Sequence, residues 1–145
     1  MKNVLITGVG KGIGKALAQK FLKEGYFVVG TSVSGQTDFS DENLIVYKLD
    51  LASEESIVEC SSAISKSGKK IDILINNAGV LLDEDETVVV AEKLTKTLQV
   101  NLIGTIDFTE HILSEINKGG HIKNISSTAG SLARTGHPGS HFPGQ

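Results

Sequence analysis

Residues 7–14, Thr-Gly-Val-Gly-Lys-Gly-Ile-Gly, place four glycines in eight positions between the apolar run Val4-Leu5-Ile6 and a segment of helical apolar spacing. Few chains can use such a stretch except as a tight turn from a strand into a helix. Glycines there let the backbone approach a pyrophosphate, which meets the free N–H groups and the positive end of the helix dipole. The segment is not a P-loop, because Gly14-Lys15 is followed by Ala16 rather than Ser or Thr. Nor is it the strict G-x-G-x-x-G form, since Ile13 stands where Gly8 and Gly10 would require a third glycine. The spacing is G-x-x-x-G-x-G through Gly8, Gly12 and Gly14. A glycine-rich turn without a ligand is the alternative, and the strand–turn–helix setting favours dinucleotide binding.

The rest of the pattern extends this unit. Val4-Leu5-Ile6, Phe27-Val28-Val29, Leu44-Ile45-Val46 and Ile71–Ile75 read as strands buried on both faces. His121–Ile125 reads as a fifth strand, entered from a turn at Gly119-Gly120. Ile13, Ala16, Leu17 and Phe21 give one helical face, closed by Gly25 in the C′ position. Ser53 is a candidate N-cap with Glu54 and Glu55 in the first turn, and Ile57, Cys60 and Ile64 follow at helical spacing.

The longest helix is expected from about Glu92 to Asn117, with an apolar face of Leu94, Leu98, Leu102, Ile112 and Ile116 and with Asn101 and Thr105 nearly in register. Alternating strands and helices imply an α/β fold, a Rossmann-like doubly wound parallel sheet of about five strands. The acidic stretch Asp83–Glu86 reads as a solvated loop. Residues 1–133 are thus expected to form one dinucleotide-binding domain. Residues 134–145, with three glycines, two prolines and no periodicity, are expected to be an irregular or disordered tail.

A chain of 145 residues suits one core rather than two. Its net charge of -3 gives no electrostatic footprint for nucleic acid. The longest apolar runs fall far short of the ~18–20 residues that cross a bilayer. A lone cysteine, Cys60, excludes an intrachain disulfide, and no signal peptide pattern follows Met1, so the expected location is cytoplasmic.

Several residues in order resemble the motifs of the short-chain dehydrogenase/reductase family. Thr7-Gly8-x-x-x-Gly12-Ile13-Gly14 is similar to its cofactor signature, and Gly10 and Lys11 lie within it. Asp50-Leu51 after the third strand resembles the family's adenine-contacting Asp, although Asp50 also suits a turn or an N-cap. Asn76-Asn77-Ala78-Gly79 resembles the motif that lines the cofactor site and steadies the sheet; the two asparagines could equally be turn formers. Asn101 falls where the family places an active-site Asn, and Ser127 of Asn124-Ile125-Ser126-Ser127 where it places its catalytic Ser. Surface placement of Asn101 and a strand-end role for the serines are the alternatives.

The resemblance implies hydride transfer between a carbonyl and an alcohol, with Ser127 orienting the carbonyl and Asn101 holding a water in a proton relay. It also implies a homo-oligomer through the helix near 92–117, acting on a small-molecule substrate that the sequence leaves unidentified, with no nucleic-acid or membrane partner. The second strand ends Thr31-Ser32-Val33-Ser34, without the carboxylate that accepts from the 2′-hydroxyl of NAD, and Ser32 holds the matching position. Lys11 before Gly12 can pair with a 2′-phosphate, so NADP(H) is favoured over NAD(H).

One departure matters. The family's Tyr-x-x-x-Lys would fall at positions 140 and 144, which are Ser140 and Gly144, and the only tyrosines are Tyr26 and Tyr47. His137 and His141 sit nearby in a Gly/Pro segment with nothing rigid to hold them. The expectation is a chain truncated, or diverging near Arg134, that lacks the family's C-terminal strands and helices and has little catalytic activity. A silent nucleotide-binding fragment or an interaction module is the competing expectation.

Overall fold

The computed structural model describes residues 1–77 and 91–125, with side chains for all of these except 91–98. Five strands, β1 (Asn3–Ile6), β2 (Phe27–Ser32), β3 (Leu44–Lys48), β4 (Ile71–Asn77) and β5 (Ile116–Ile125), form one parallel sheet in the order β3-β2-β1-β4-β5. The helices are α1 (Gly12–Lys23), α2 (Glu54–Lys66) and α3 (Ala91–Ile112), the last followed by a 3-10 turn at Leu113–Glu115. This is the doubly wound Rossmann order, which reverses between β1 and β4.

Two cores sandwich the sheet. Leu5, Val29 and Leu74 pack with Ile57, Cys60 and Ile64 of α2 and Phe108 and Ile112 of α3. On the other face Val4, Ile6, Val28 and Ile75 pack with Val9 and with Ala18, Leu17 and Phe21 of α1. Burial pushes the Cys60 thiol up to about 12, so it is an inert thiol of the core. Among the described residues no helix is long and apolar enough to cross a membrane.

The expected helix termini follow the physics of their caps. Gly25 takes φ +88° after α1; its N–H donates to the Leu22 carbonyl, and that of Tyr26 donates to the Phe21 carbonyl. That is a Schellman closure, and the Tyr26 and Phe21 rings meet edge to face across it. At α2 the Ser53 hydroxyl accepts from the Ser56 N–H at 3.1 Å, as its sequence position predicts.

Several expectations need correction. Ile13 does not join the inner face of α1: it is 60% exposed, and Gly14 and Ala18 are buried instead. β3 is an edge strand, so Ile45 faces solvent rather than a second layer. The long helix stops at Ile112, and Ile116 is already in β5, paired with Ile71. Leu102 points outward at 61% exposure, because Gly104, Phe108 and Ile112 form the buried face of α3. The turn expected at Gly119-Gly120 is a bulge inside β5, where the register shifts between Ile71 and Ile73. Leu94 and Leu98 have side chains outside the described set, and Asp83–Glu86 and the segment 134–145 lie outside the described residues.

Candidate cofactor site

The site lies at the carboxyl ends of β1 and β4, where the strand order reverses. Here the Thr7 N–H donates to the Ile75 carbonyl at 3.1 Å, and the Asn77 N–H donates to Thr7 Oγ1 at 3.0 Å, extending the ladder past β1. The chain then turns at Gly8 with φ +72°, open to glycine at no steric cost. Asn77 Nδ2 donates to the Gly8 carbonyl at 3.3 Å. A Cβ on Gly14 would overlap that same carbonyl oxygen, so helix α1 packs onto the turn only because Gly14 has no side chain.

Helix α1 begins differently from α2. Its N-cap is Lys11, which makes no side-chain cap hydrogen bond, and no acidic residue occupies the first turn. α2 by contrast has the Ser53 cap and two glutamates. The free N–H groups and positive dipole end of α1 are thus left without a capping side chain, beside a lysine. An anion from outside is what such an end accommodates.

A cavity of about 670 Å³ opens above this turn. Of the expected site residues, Gly8, Gly10, Lys11, Ser32, Asp50, Leu51, Asn77 and Asn101 line it together. Gly12, Ile13 and Gly14 lie beside it in the first turn of α1 rather than in the lining. Ala78, Gly79 and Ser127 lie outside the described residues.

The individual side chains have definite partners. Ser32 is buried and donates its hydroxyl to the Gln36 carbonyl at 2.9 Å, which folds the loop after β2 back on itself. Asp50 is a turn residue as well as a cavity residue: its Oδ1 accepts from the Ala52 N–H at 3.0 Å, and its own N–H donates to Ser56 Oγ at 2.9 Å. Neither asparagine of the pair at the end of β4 is a mere turn former. Asn76, buried, donates through Nδ2 to Thr109 of α3 and to Asn124 of β5, each at 3.0 Å. It therefore ties β4 to the two elements that carry Asn101 and lead to Ser127.

Sequence reasoning missed Gly30, Thr31, Ser34, Gln36 and Leu49. Thr31, Ser34, Gln36 and Leu49 line the cavity, and a Cβ on Gly30 would stand 2.6 Å from Val9 Cγ2, under the glycine turn. Gly30 alone carried a signal, since a lone glycine within a strand marks a close approach. Thr31 is an ordinary strand former and gave none.

Strand order, glycine turn and crevice together define an α/β fold of the Rossmann type. The chain belongs to the short-chain dehydrogenase family, whose family model, described as short chain dehydrogenase, matches residues 2–139. It is 32% identical over 142 residues to an NADP-dependent 3-hydroxy acid dehydrogenase of Salmonella typhi, covering 92% of this chain and 57% of that protein. It is also 32% identical over 143 residues to an NAD-dependent glycerol dehydrogenase of Listeria innocua, covering 94% and 56% respectively. A solved short chain dehydrogenase family protein from Francisella tularensis superposes with a TM-score of 0.71 at 28% identity, over 94% of this chain and 59% of that one. The chain thus spans about half the length of the curated relatives it matches.

Proposed function

We propose that this chain is the cofactor-binding part of an NADP(H)-dependent oxidoreductase that moves hydride between a carbonyl and an alcohol. The observation that carries the reading is the uncapped start of α1 opening into a cavity lined by eight of the expected site residues. Bound there, a nicotinamide cofactor supplies or accepts the hydride. The chain's own residues do the holding: the turn from Gly8 to Gly14 takes the pyrophosphate, and Asp50 and Leu51 border the adenosine end. Asn77 steadies the turn. Asn101 of α3 lines the same cavity; Ser127, the catalytic serine that the family resemblance implies, lies outside the described residues.

The NADP(H) preference rests on charge. Among the described residues Asp50 is the sole carboxylate in the cavity lining, and β2 ends in Ser32, while Lys11 stands at the rim. A 2′-phosphate meets a cation and no acid at the end of β2. The relatives support a nicotinamide cofactor and differ in which one, so the preference is this chain's own. Positions 140 and 144 carry Ser140 and Gly144 rather than Tyr and Lys. This 145-residue chain is accordingly proposed to bind cofactor while turning over little or no substrate. With a single cysteine the chain has no intrachain disulfide, and a cytoplasmic location remains part of this proposal. Self-association is proposed through the outer face of α3, where Leu102, Ile103 and Ile106 are 61%, 67% and 52% exposed.

Calorimetric titration of the purified chain with NADPH and NADH tests the reading. NADPH should bind, and more tightly than NADH. Absence of heat with both would defeat it.

A further inference from the structure

Gly8 does not fix its own conformation. A glycine at φ +72° has no side chain to prefer that geometry over several others, so the turn must be held by its neighbours. Three hydrogen bonds do so. Asn77 supplies one, from the β4 side, to the Gly8 carbonyl. Thr31 of β2 supplies the other two: its Oγ1 accepts from the Gly8 N–H at 3.2 Å, and its carbonyl accepts from the Val9 N–H at 2.8 Å. The two peptide planes flanking Gly8 are thereby set. Beneath them the side chain of Val9 is buried against Gly30, where even one Cβ would come within 2.6 Å of it. Gly30 and Thr31 together form a mould in β2 into which the first half of the glycine turn is pressed.

We propose that Thr31 is a positioning residue for the dinucleotide: its hydroxyl fixes the Gly8 peptide and so the turn that receives the pyrophosphate. This rests on the cofactor reading above. Thr31 is 1% exposed and lines the cavity. Its carbonyl contact survives any substitution, so the side-chain contact is the one that mutation can remove. Gly8 itself is exposed, so water can replace the lost acceptor and the fold is retained while the turn loosens.

The test compares wild type, Thr31→Val and Thr31→Ser. Valine keeps the branched shape and loses the acceptor; serine keeps the acceptor. Each is titrated with NADPH and with 2′-AMP, which carries no 5′-phosphate to reach the turn. Amide exchange at Gly8 is followed by NMR in the free protein. The expected result is NADPH binding weakened about three- to tenfold in Thr31→Val and restored in Thr31→Ser. Affinity for 2′-AMP should be unchanged, and Gly8 exchange faster only in the valine variant. Equal NADPH binding by wild type and Thr31→Val overturns the role of Thr31 and leaves the cofactor reading standing. Parallel losses for NADPH and 2′-AMP also overturn it, since the effect would then be general. A wild type that binds neither ligand removes the cofactor reading, and this role with it.

Discussion

Gly104 of α3 lies against Leu51 so closely that a Cβ on the glycine would overlap the Leu51 carbonyl oxygen. Helix backbone rests there on loop backbone, one turn from Asn101 and directly behind the wall of the cavity. In an open helix, Gly→Ala would add about 1 kcal/mol of stability. At this position the sign reverses, because neither backbone can yield as a flexible side chain would. Gly104→Ala is expected to lose about 1–3 kcal/mol. Urea unfolding checks it; a variant more stable than wild type would show that α3 can lift off the loop without cost.

Lys11 sits at the cavity rim with no ion-pair partner among the described residues. Lys11→Glu should weaken NADPH binding about three- to tenfold at low salt and affect NADH much less, with the difference shrinking as salt rises. Equal losses for both cofactors would show that Lys11 does not read the 2′-phosphate.

Two carboxyls make stability depend on acid pH. Hydrogen bonding from Lys70, at 3.1 Å, holds Glu115 below its ordinary value, against a burial that opposes it. The Asn3 N–H and then Asn117 do the same for Asp72, tying together the ends of β1, β4 and β5. A carboxyl with a lowered folded pKa contributes stability that is present above its unfolded pKa and lost as pH falls through the folded one. Wild type should therefore lose stability progressively from about pH 4.5 downward. Glu115→Gln should show a shallower loss over that range, with the Asp72 part remaining. Superimposable pH profiles for the two proteins would contradict this assignment.

If the outer face of α3 is a self-association surface, a charge within it should disperse the oligomer. Ile103→Lys and Ile106→Lys alter exposed positions, so the fold should survive. Sedimentation velocity should show wild type associating at micromolar concentration and both variants running as monomers. A wild type that stays monomeric throughout would remove the surface from consideration.

Much of the fold around the candidate site was legible in the primary structure because local rules govern it. The glycine spacing of residues 8–14, the Ser53 cap and the Gly25 stop each depend on a few neighbouring residues and backbone torsions. Where legibility failed, long-range packing decided. The segment 113–116 cannot be parsed locally: apolar spacing continues the helix past Ile112, yet Leu113–Glu115 tighten into a 3-10 turn and Ile116 pairs with Ile71. Leu102 and Ile13 read as inward by period, and both face out, since the inner faces are set by where Gly104 and Gly14 permit backbone contact.

Periodicity and glycine torsions are properties of short segments, so the class of fold, the order of its elements and the location of the turn could all be read along the chain. What holds that turn could not. Thr31 and Asn77, 23 and 69 residues from Gly8, meet it from two different strands. No local pattern records that meeting. It exists because a parallel sheet places β2 and β4 on either side of β1, with their carboxyl ends at the same edge.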